Sequence, residues 1–405
     1  MRLSTLDAPL VVQRVRSMFE SYWASAEAAL AWRDFMVSEY SDAGQERWLA
    51  QNGIALLRGS GRLAGTGVVE VAGVRHTAEH VVLACGADPV IPPIPGLREL
   101  AGTWTNREAT GMKAVPRRLL VLGGGPVGVE MAQAVRRLGG EVALVEGADH
   151  VLAREPAPLG EALGEVLRRD GIELVLGARA TAVRRAGEDY VLELGGGGEL
   201  RGDRLLVATG RRPRVADIGL ETVGIEADGD GIPVDAQLRA GERLWAIGDV
   251  TGIWPLTHVG KYQGRIVAAN ILGEPREAHY EAVPRVTYTD PQAAAVGATD
   301  APYRATVPMA DVAKTATYTR AYAESTGFLT LLSDGERLTG AYALGPEAGE
   351  WLQQATLAIR ARVALDVLAD TIQPFPTFSE IYLAAVKCLR SAIAGARESA
   401  VSPSL

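Results

Sequence analysis

Leu119-Leu120-Val121-Leu122-Gly123-Gly124-Gly125-Pro126-Val127-Gly128-Val129-Glu130 is an apolar run that passes straight into Gly-x-Gly-x-x-Gly. Consecutive aliphatic residues predict an apolar strand. A helix is expected next, over Val129 to Leu138, followed by a second strand, Glu141-Val142-Ala143-Leu144-Val145, which ends on Glu146. This order makes a complete β-α-β unit for a dinucleotide. Gly123 supplies the tight turn, and Gly125 lets the backbone approach a pyrophosphate, with Pro126 and Val127 in the same loop. Gly128 allows close helix packing, and the acid at the end of the second strand holds a ribose diol. A Gly-rich loop alone is weak evidence, but this one has its strand, helix and acid at the required spacing. The motif lies more than a hundred residues into the chain, and no second copy precedes it.

Length and composition set the frame. A chain of 405 residues exceeds one ordinary core, so two or three domains are expected. The formal net charge of −8, with basic residues scattered as Arg, argues against nucleic acid as a partner. No apolar run is long enough to predict a membrane span, and the first residues do not have a signal-peptide layout. Cys85 and Cys388 are the only cysteines, which excludes a disulfide framework and a Cys-rich metal site. No metal is expected, and a cytoplasmic location is.

Along the chain, amphipathic helices are expected over Val11 to Leu30 and Ala31 to Gln51, with Trp23, Trp32 and Trp48 as core or dimer contacts. Short strands are expected at Ile54-Leu57, Gly67-Val71 and His80-Ala84, before a Pro-rich connector, Pro89 to Pro95. Asp203 to Thr209 reads as another buried strand, ending in Gly210-Arg211-Arg212-Pro213. Arg243 to Ile247 reads as a strand stopping at Gly248-Asp249, with a helix from about His258. Beyond about Tyr280 come strands at Arg285-Tyr288, Phe328-Leu332 and Thr339-Leu344, then helices from Glu347 and from Thr377. That succession predicts a separate α+β domain.

From about residue 40 to 395 these motifs, in order, resemble the flavoprotein disulfide reductases, also called pyridine nucleotide-disulfide oxidoreductases. Dihydrolipoamide dehydrogenase and mercuric reductase are members. Leu83-Ala84-Cys85-Gly86-Ala87-Asp88-Pro89 and Ile94-Pro95-Gly96 resemble the crossover out of the family's FAD domain. Ala208-Thr209-Gly210-Arg211-Arg212-Pro213 resembles the closing strand of its NAD(P)H domain. Ala246-Ile247-Gly248-Asp249 resembles the returning FAD segment, and Pro284-Arg285-Val286 with Thr289-Asp290-Pro291 the start of the dimerisation domain. Phe375-Pro376-Thr377-Phe378-Ser379-Glu380 resembles the C-terminal motif near the partner's active site.

The resemblance implies an α/β fold with two dinucleotide-binding domains. The expected layout is a remnant of the FAD-binding domain with N-terminal helices over 1–115 and a complete Rossmann-like NAD(H) domain over 116–235. A returning FAD segment over 236–278, an α+β dimerisation domain over 279–395 and a tail over 396–405 follow. Through it, Ala84, Gly86, Gly248, Asp249, Thr257 and His258 are assigned to FAD, with Asp249 at the ribityl or phosphate region. Gly210 and Glu130 join the glycine loop and Glu146 on the NAD side. Glu130 reads equally as an ordinary first-turn helix acid, and His258 as a capping or packing residue.

Departures from the family pattern bear on the chemistry. The N-terminal FAD motif and its Cys-x4-Cys pair are not found, so the FAD domain is expected to be incomplete, and FAD to bind weakly, to be poorly held at its adenylate end, or to require another chain. Phe375 stands where the family has the acid-base His, which leaves Glu380 without its partner. A dithiol reductase needs a thiolate pair and a proton-managing His, so disulfide reduction is not expected. Glu146 followed by Gly147-Ala148-Asp149 favours NADH over NADPH, and Arg154, near in sequence, keeps the 2′-phosphate alternative open. Cys85 and Cys388 both read as small buried packing residues. Two functional readings follow. One is an NADH-dependent flavoprotein passing hydride via FAD to a small non-disulfide acceptor, with Phe375 lining the acceptor side, as a homodimer. The other is a non-catalytic or partner-dependent dinucleotide-binding homologue.

Overall fold

The structure, a computed structural model, describes residues 25–227, 229–311 and 327–401. Most of the expected helix Val11 to Leu30, with Trp23, lies outside them. The described chain begins at Ser25, whose hydroxyl caps the helix Ala26–Met36 by accepting the Ala28 N–H at 3.0 Å. The single helix expected over Ala31 to Gln51 is broken, because Ser38, Glu39 and Tyr40 all have positive φ. A right-handed helix cannot pass through left-handed residues, and a second helix, Ala43–Gln51, starts beyond them. Neither helix buries a residue within this chain. Trp32 and Trp48 are exposed, which corrects their expected core role.

Ile54 to Leu57 form no strand: no described strand pairs with them, and Ile54, Leu56 and Leu57 are exposed. An apolar run needs a neighbouring strand to become part of a sheet, and here the exposed run is left to water. The strands that do form here are a meander, β1 (Gly61–Leu63), β2 (Val68–Val71) and β3 (Val74–Thr77), followed by β4 (Val81–Leu83) and β5 (Ala87–Pro89).

The central unit is built on β6 (Arg118–Leu122), β7 (Glu141–Val145) and β8 (Glu173–Val175). The meander β9 (Ala180–Ala186), β10 (Asp189–Leu194) and β11 (Glu199–Gly202) follows, then β12 (Arg204–Val207) and β13 (Arg211–Pro213). A parallel sheet in the order β12-β6-β7-β8 lies between two apolar layers. Leu119 and Val121 point to the layer holding the helices Pro126–Arg137 and Ala157–Arg169. Leu120 and Leu122 pack with Val183, Tyr190 and Leu192 of the meander. Burial on both faces explains why the strand is aliphatic throughout, at about 1.5–3 kcal/mol per fully buried side chain. The connector packs here too: Leu97 is buried in the meander layer, and β13 pairs antiparallel with β5.

β14 (Arg239–Gly241) and β15 (Leu244–Ala246) extend β4 into a sheet of order β14-β15-β4, with β15 parallel to β4. The helix Thr257–Ile271 follows. The last unit is an antiparallel sheet, β16 (Pro284–Thr287), β17 (Gln292–Gly297), β18 (Tyr303–Pro308), β19 (Phe328–Ser333) and β20 (Leu338–Gly345), in the order β16-β17-β20-β19-β18. Ala293, Ala295, Tyr342 and Leu344 share a core with Leu119, Val121 and Leu163, so this unit is welded to the helix side of the central sheet. Short helices Ala348–Trp351 and Gln353–Arg360 follow β20, and Ile381–Val401 closes the fold, so the tail expected from 396 begins as helix. No helix among the described residues is long and apolar enough to cross a membrane.

Candidate nucleotide and flavin sites

Each glycine of the first loop has its own geometric reason. Gly123 has φ +109°, and a Cβ there would lie 2.5 Å from the Ala208 carbonyl oxygen. A Cβ on Gly128 would lie 1.9 Å from the Gly123 oxygen, so the helix can meet the strand only without a side chain at that position. Gly125 is different: nothing lies within 4 Å of its added Cβ, and its φ of −73° suits any residue. The open space lies at the N-cap of Pro126–Arg137, a helix with Pro at its first turn and no side-chain cap. Uncapped N–H groups and the positive end of the helix dipole favour an anion in that space. Gly210, φ +128°, is likewise clear of neighbours.

Glu146 is half-buried at the end of β7. Its carboxylate accepts the Gly124 N–H at 2.6 Å and the Ala148 N–H at 2.9 Å. These bonds hold the acid against the glycine loop, and each oxygen keeps a further lone pair for a ligand hydroxyl.

Glu130 has a role that the sequence did not show. Its carboxylate accepts the Tyr288 N–H at 2.7 Å. Gln133 donates to the Asp290 carbonyl at 2.9 Å and accepts its N–H at 2.8 Å, and Arg137 pairs with the Asp290 carboxylate at 2.6 Å. Positions 130, 133 and 137 form one stripe of the helix, which fastens the central unit to residues 288–290. Burial pushes the Glu130 carboxyl above its ordinary value, against the opposing effect of the Tyr288 N–H. The folded chain therefore holds this proton more tightly than the unfolded chain, and stability falls as pH climbs from the ordinary carboxylate value through the raised one. Glu130→Gln keeps an oxygen for Tyr288 and removes the charge. Urea melts from acid to neutral pH should show the variant losing that slope and matching or exceeding the native chain at neutrality. A variant weaker at neutral pH would mean that the charge itself is needed.

A second glycine turn follows β15. Gly248 has φ +74° and open space around an added Cβ, and its N–H is accepted by the fully buried Gln263 at 2.6 Å. Gln263 in turn donates to the Tyr280 hydroxyl at 2.9 Å. Asp249 is half-buried, 3.5 Å from the Arg211 guanidinium, which also donates to the Ala87 carbonyl at 2.8 Å. The helix opening at Thr257 packs Gly260 onto Gly248 and carries no side-chain cap. Ala84 and Gly86 border the crossover beside this turn, where the Ile247 N–H donates to Leu83 at 2.9 Å. The Nε2 of His258 lies 2.9 Å from the Pro284 carbonyl. A carbonyl only accepts, so that nitrogen carries the proton and the ring serves as a tether to β16. Cys85 is half-buried, and burial pushes its thiol up. Cys388 is exposed on the last helix, which corrects its expected burial: position 388 falls on the outer face, between the buried Ala385 and Leu389.

In the C-terminal motif Phe375, 73% exposed, precedes a cis proline, and Thr377 donates to the Pro374 carbonyl at 2.7 Å. One oxygen of Glu380 and the side-chain nitrogen of Gln373 are buried with no hydrogen-bond partner among the described residues. Among those residues no grouping of three or more His, Cys, Asp or Glu side chains could hold a metal ion.

Sequence reasoning also missed a junction of three segments. Arg285 on β16 grips Glu155, from the loop after β7, through bonds of 2.7 and 2.9 Å. Both side chains are nearly buried, at 12% and 15% exposure. Trp254, from the loop before Thr257, lies with its ring 5.3 Å from the same guanidinium. Nothing local marks these three residues as neighbours; Arg285 inside an apolar strand was the only available signal.

Comparison with known proteins agrees with this architecture. Residues 15–264 match the family model described as pyridine nucleotide-disulphide oxidoreductase, and residues 283–386 match the dimerisation domain of the same family. Dihydrolipoyl dehydrogenase of Chlamydia muridarum is 31% identical over 366 residues, covering 86% of this chain and 77% of that protein. Mercuric reductase of Acidithiobacillus ferrooxidans is 36% identical over 373 residues, covering 87% and 66% respectively. Among solved structures, LpdA from Mycobacterium tuberculosis superposes with a TM-score of 0.76 at 27% identity, over 87% of this chain and 81% of that one. The HOCl-induced flavoprotein disulfide reductase RclA from Escherichia coli gives 0.81 at 24% identity, over 90% and 86%, a likeness of fold alone. By family model, by relatives and by fold, this chain belongs to the pyridine nucleotide-disulphide oxidoreductase family.

Proposed function

We propose that the chain is an NADH-dependent flavoprotein oxidoreductase that passes hydride by way of FAD to a small acceptor other than a disulfide, working as a homodimer through residues 283–386. The observation that carries this reading is the pair of uncapped helix N-termini, at Pro126 and Thr257. Each follows an open glycine turn and a strand, with Glu146 beside one and Asp249 beside the other. When bound, FAD supplies two-electron acceptance from the nicotinamide and delivery to the acceptor. Asp249 would hold its ribityl or phosphate region, Ala84, Gly86 and Gly248 would give it room, and the N–H groups at Thr257 would favour negative charge on its ring edge. Gly123 to Gly128 would seat the NADH pyrophosphate, Gly210 would leave the nucleotide room, and Glu146 would accept from the ribose hydroxyls.

Phe375 supports the non-disulfide acceptor. Phenylalanine neither gives nor takes a proton, and Glu380, five positions on in the same motif, has an oxygen without a hydrogen-bond partner among the described residues. The two thiols in the sequence are free, one half-buried and one exposed.

The test is optical. Purified protein, incubated with FAD and desalted, should be yellow, bleach on adding NADH, and recover its colour with a quinone but not with a small disulfide. Recovery with the disulfide would reject the acceptor class. A colourless protein that still binds NADH would instead favour the non-catalytic homologue. Glu146→Ala should weaken NADH binding by about tenfold or more, from the loss of charge-assisted hydrogen bonds; calorimetry showing unchanged affinity would put the ribose elsewhere.

A further inference from the structure

Three backbone hydrogen bonds stitch the end of β8 and the segment after it to the segment carrying Glu146. The Glu146 N–H donates to Val175 at 2.9 Å, the Gly177 N–H to Ala148 at 2.7 Å, and the Ala178 N–H to Glu146 at 3.2 Å. Arg179 comes next, and its own carbonyl is held by the Gly195 N–H at 2.8 Å. Its backbone is therefore fixed relative to the proposed ribose acid. The side chain lies along Gly147: a Cβ on that glycine would sit 3.6 Å from the arginine Cγ and 3.7 Å from its Nε. Gly147 and Arg179 are both exposed, and among the described residues no carboxylate pairs with this guanidinium. An unpaired guanidinium thus borders the loop whose preceding residue is Glu146.

We infer that Arg179 is the specificity-determining residue of the adenosine pocket and that it admits a 2′-phosphate, so that the chain binds NADPH as well as NADH. The inference rests on the proposed nucleotide site. Glu146 alone would exclude NADPH, because its fixed carboxylate repels a phosphate at the position of the ribose hydroxyl. A guanidinium on the adjoining loop offsets that repulsion and presents a planar fork of donors suited to phosphate oxygens. The arginine stem lies at van der Waals distance from the exposed Gly147, which places the guanidinium at the edge of the loop. Arg154, nearer to Glu146 in the chain, is the other arginine open to this role, two residues after Leu152, whose N–H donates to the Gly124 carbonyl at 2.8 Å; the fold adds Arg179 from the segment after β8.

The experiment uses the full-length protein and two probes that need no flavin, 5′-AMP and 2′,5′-ADP, followed by calorimetry, with NADH and NADPH as the complete ligands. Arg179→Ala should lower affinity for 2′,5′-ADP and NADPH by about tenfold, the scale of one charge-assisted contact, and leave 5′-AMP and NADH within about twofold. Arg179→Lys should recover part of the loss, and added salt should weaken native binding of 2′,5′-ADP more than that of 5′-AMP. Equal loss for all four ligands, or no loss for any, would overturn the assignment while leaving the nucleotide site standing. If native protein binds neither 5′-AMP nor NADH, the nucleotide site itself is wrong and the inference falls with it.

Discussion

Gly128→Ala is expected to destabilise the central unit by about 3 kcal/mol or more and to abolish nucleotide binding with it. The added carbon would stand 1.9 Å from the Gly123 oxygen, which belongs to the turn itself and not to a side chain that could swing away. Relief requires the helix Pro126–Arg137 to lift off β6, and that helix also carries Glu130, Gln133 and Arg137 onto residues 288–290. Gly125→Val makes the informative contrast. Nothing lies within 4 Å of a Cβ there, and the backbone angle suits any residue, so folding should be unchanged. The valine would occupy the space proposed for the pyrophosphate. Thermal melts and NADH titration of the two variants should separate cleanly: one unfolds early, the other melts normally and does not bind. Normal NADH affinity in Gly125→Val would remove the pyrophosphate from this loop.

Arg285→Ala should cost about 3–5 kcal/mol, because it strands the Glu155 carboxylate in a nearly buried place without its bidentate partner. Glu155→Ala should cost a similar amount by stranding the guanidinium. Replacing the two together with Met and Leu should recover most of the loss, since the expensive element is the unpaired charge and not the absence of a pair. Denaturant unfolding of the three variants checks this; additive losses in the double variant would show that the residues do not act as a pair. The junction matters beyond stability. Glu155 belongs to the loop after Glu146, the proposed ribose acid, Arg285 to the first strand of the C-terminal sheet, and Trp254 to the approach to Thr257. Loosening it should therefore also weaken any hydride path between the two proposed cofactor turns.

Much of this was legible in the sequence because it is written in short range. The strand from Arg118, its loop, the helix and Glu146 follow one another within thirty residues, and each carries the residue type its geometry demands. The order of later motifs likewise placed β12, β15 and the helix at Thr257. Misreadings came where periodicity lacked its partner. Ile54 to Leu57 had the look of a strand but no ladder, and the helix after Ala31 kept its spacing through residues of positive φ that ended it. Cys388 sat among apolar neighbours but on the outward side of its helix.

The amino-acid sequence by itself determined that a dinucleotide-type β-α-β unit exists, which glycines shape it, and which acid ends its second strand, because those requirements are met by neighbours along one backbone. It also places Phe375 in the C-terminal motif where the resemblance implies an acid-base His. Only the tertiary structure decided what the polar side chains do between segments. Glu130 became a clasp for Tyr288, His258 a tether to Pro284, and Gln263 the anchor of Gly248. Only there does Arg179 approach Gly147, and Arg285 meet Glu155 across 130 positions of chain. The physical reason is that a buried charge or amide must find its partner in space, and its distance in sequence says nothing about where that partner lies.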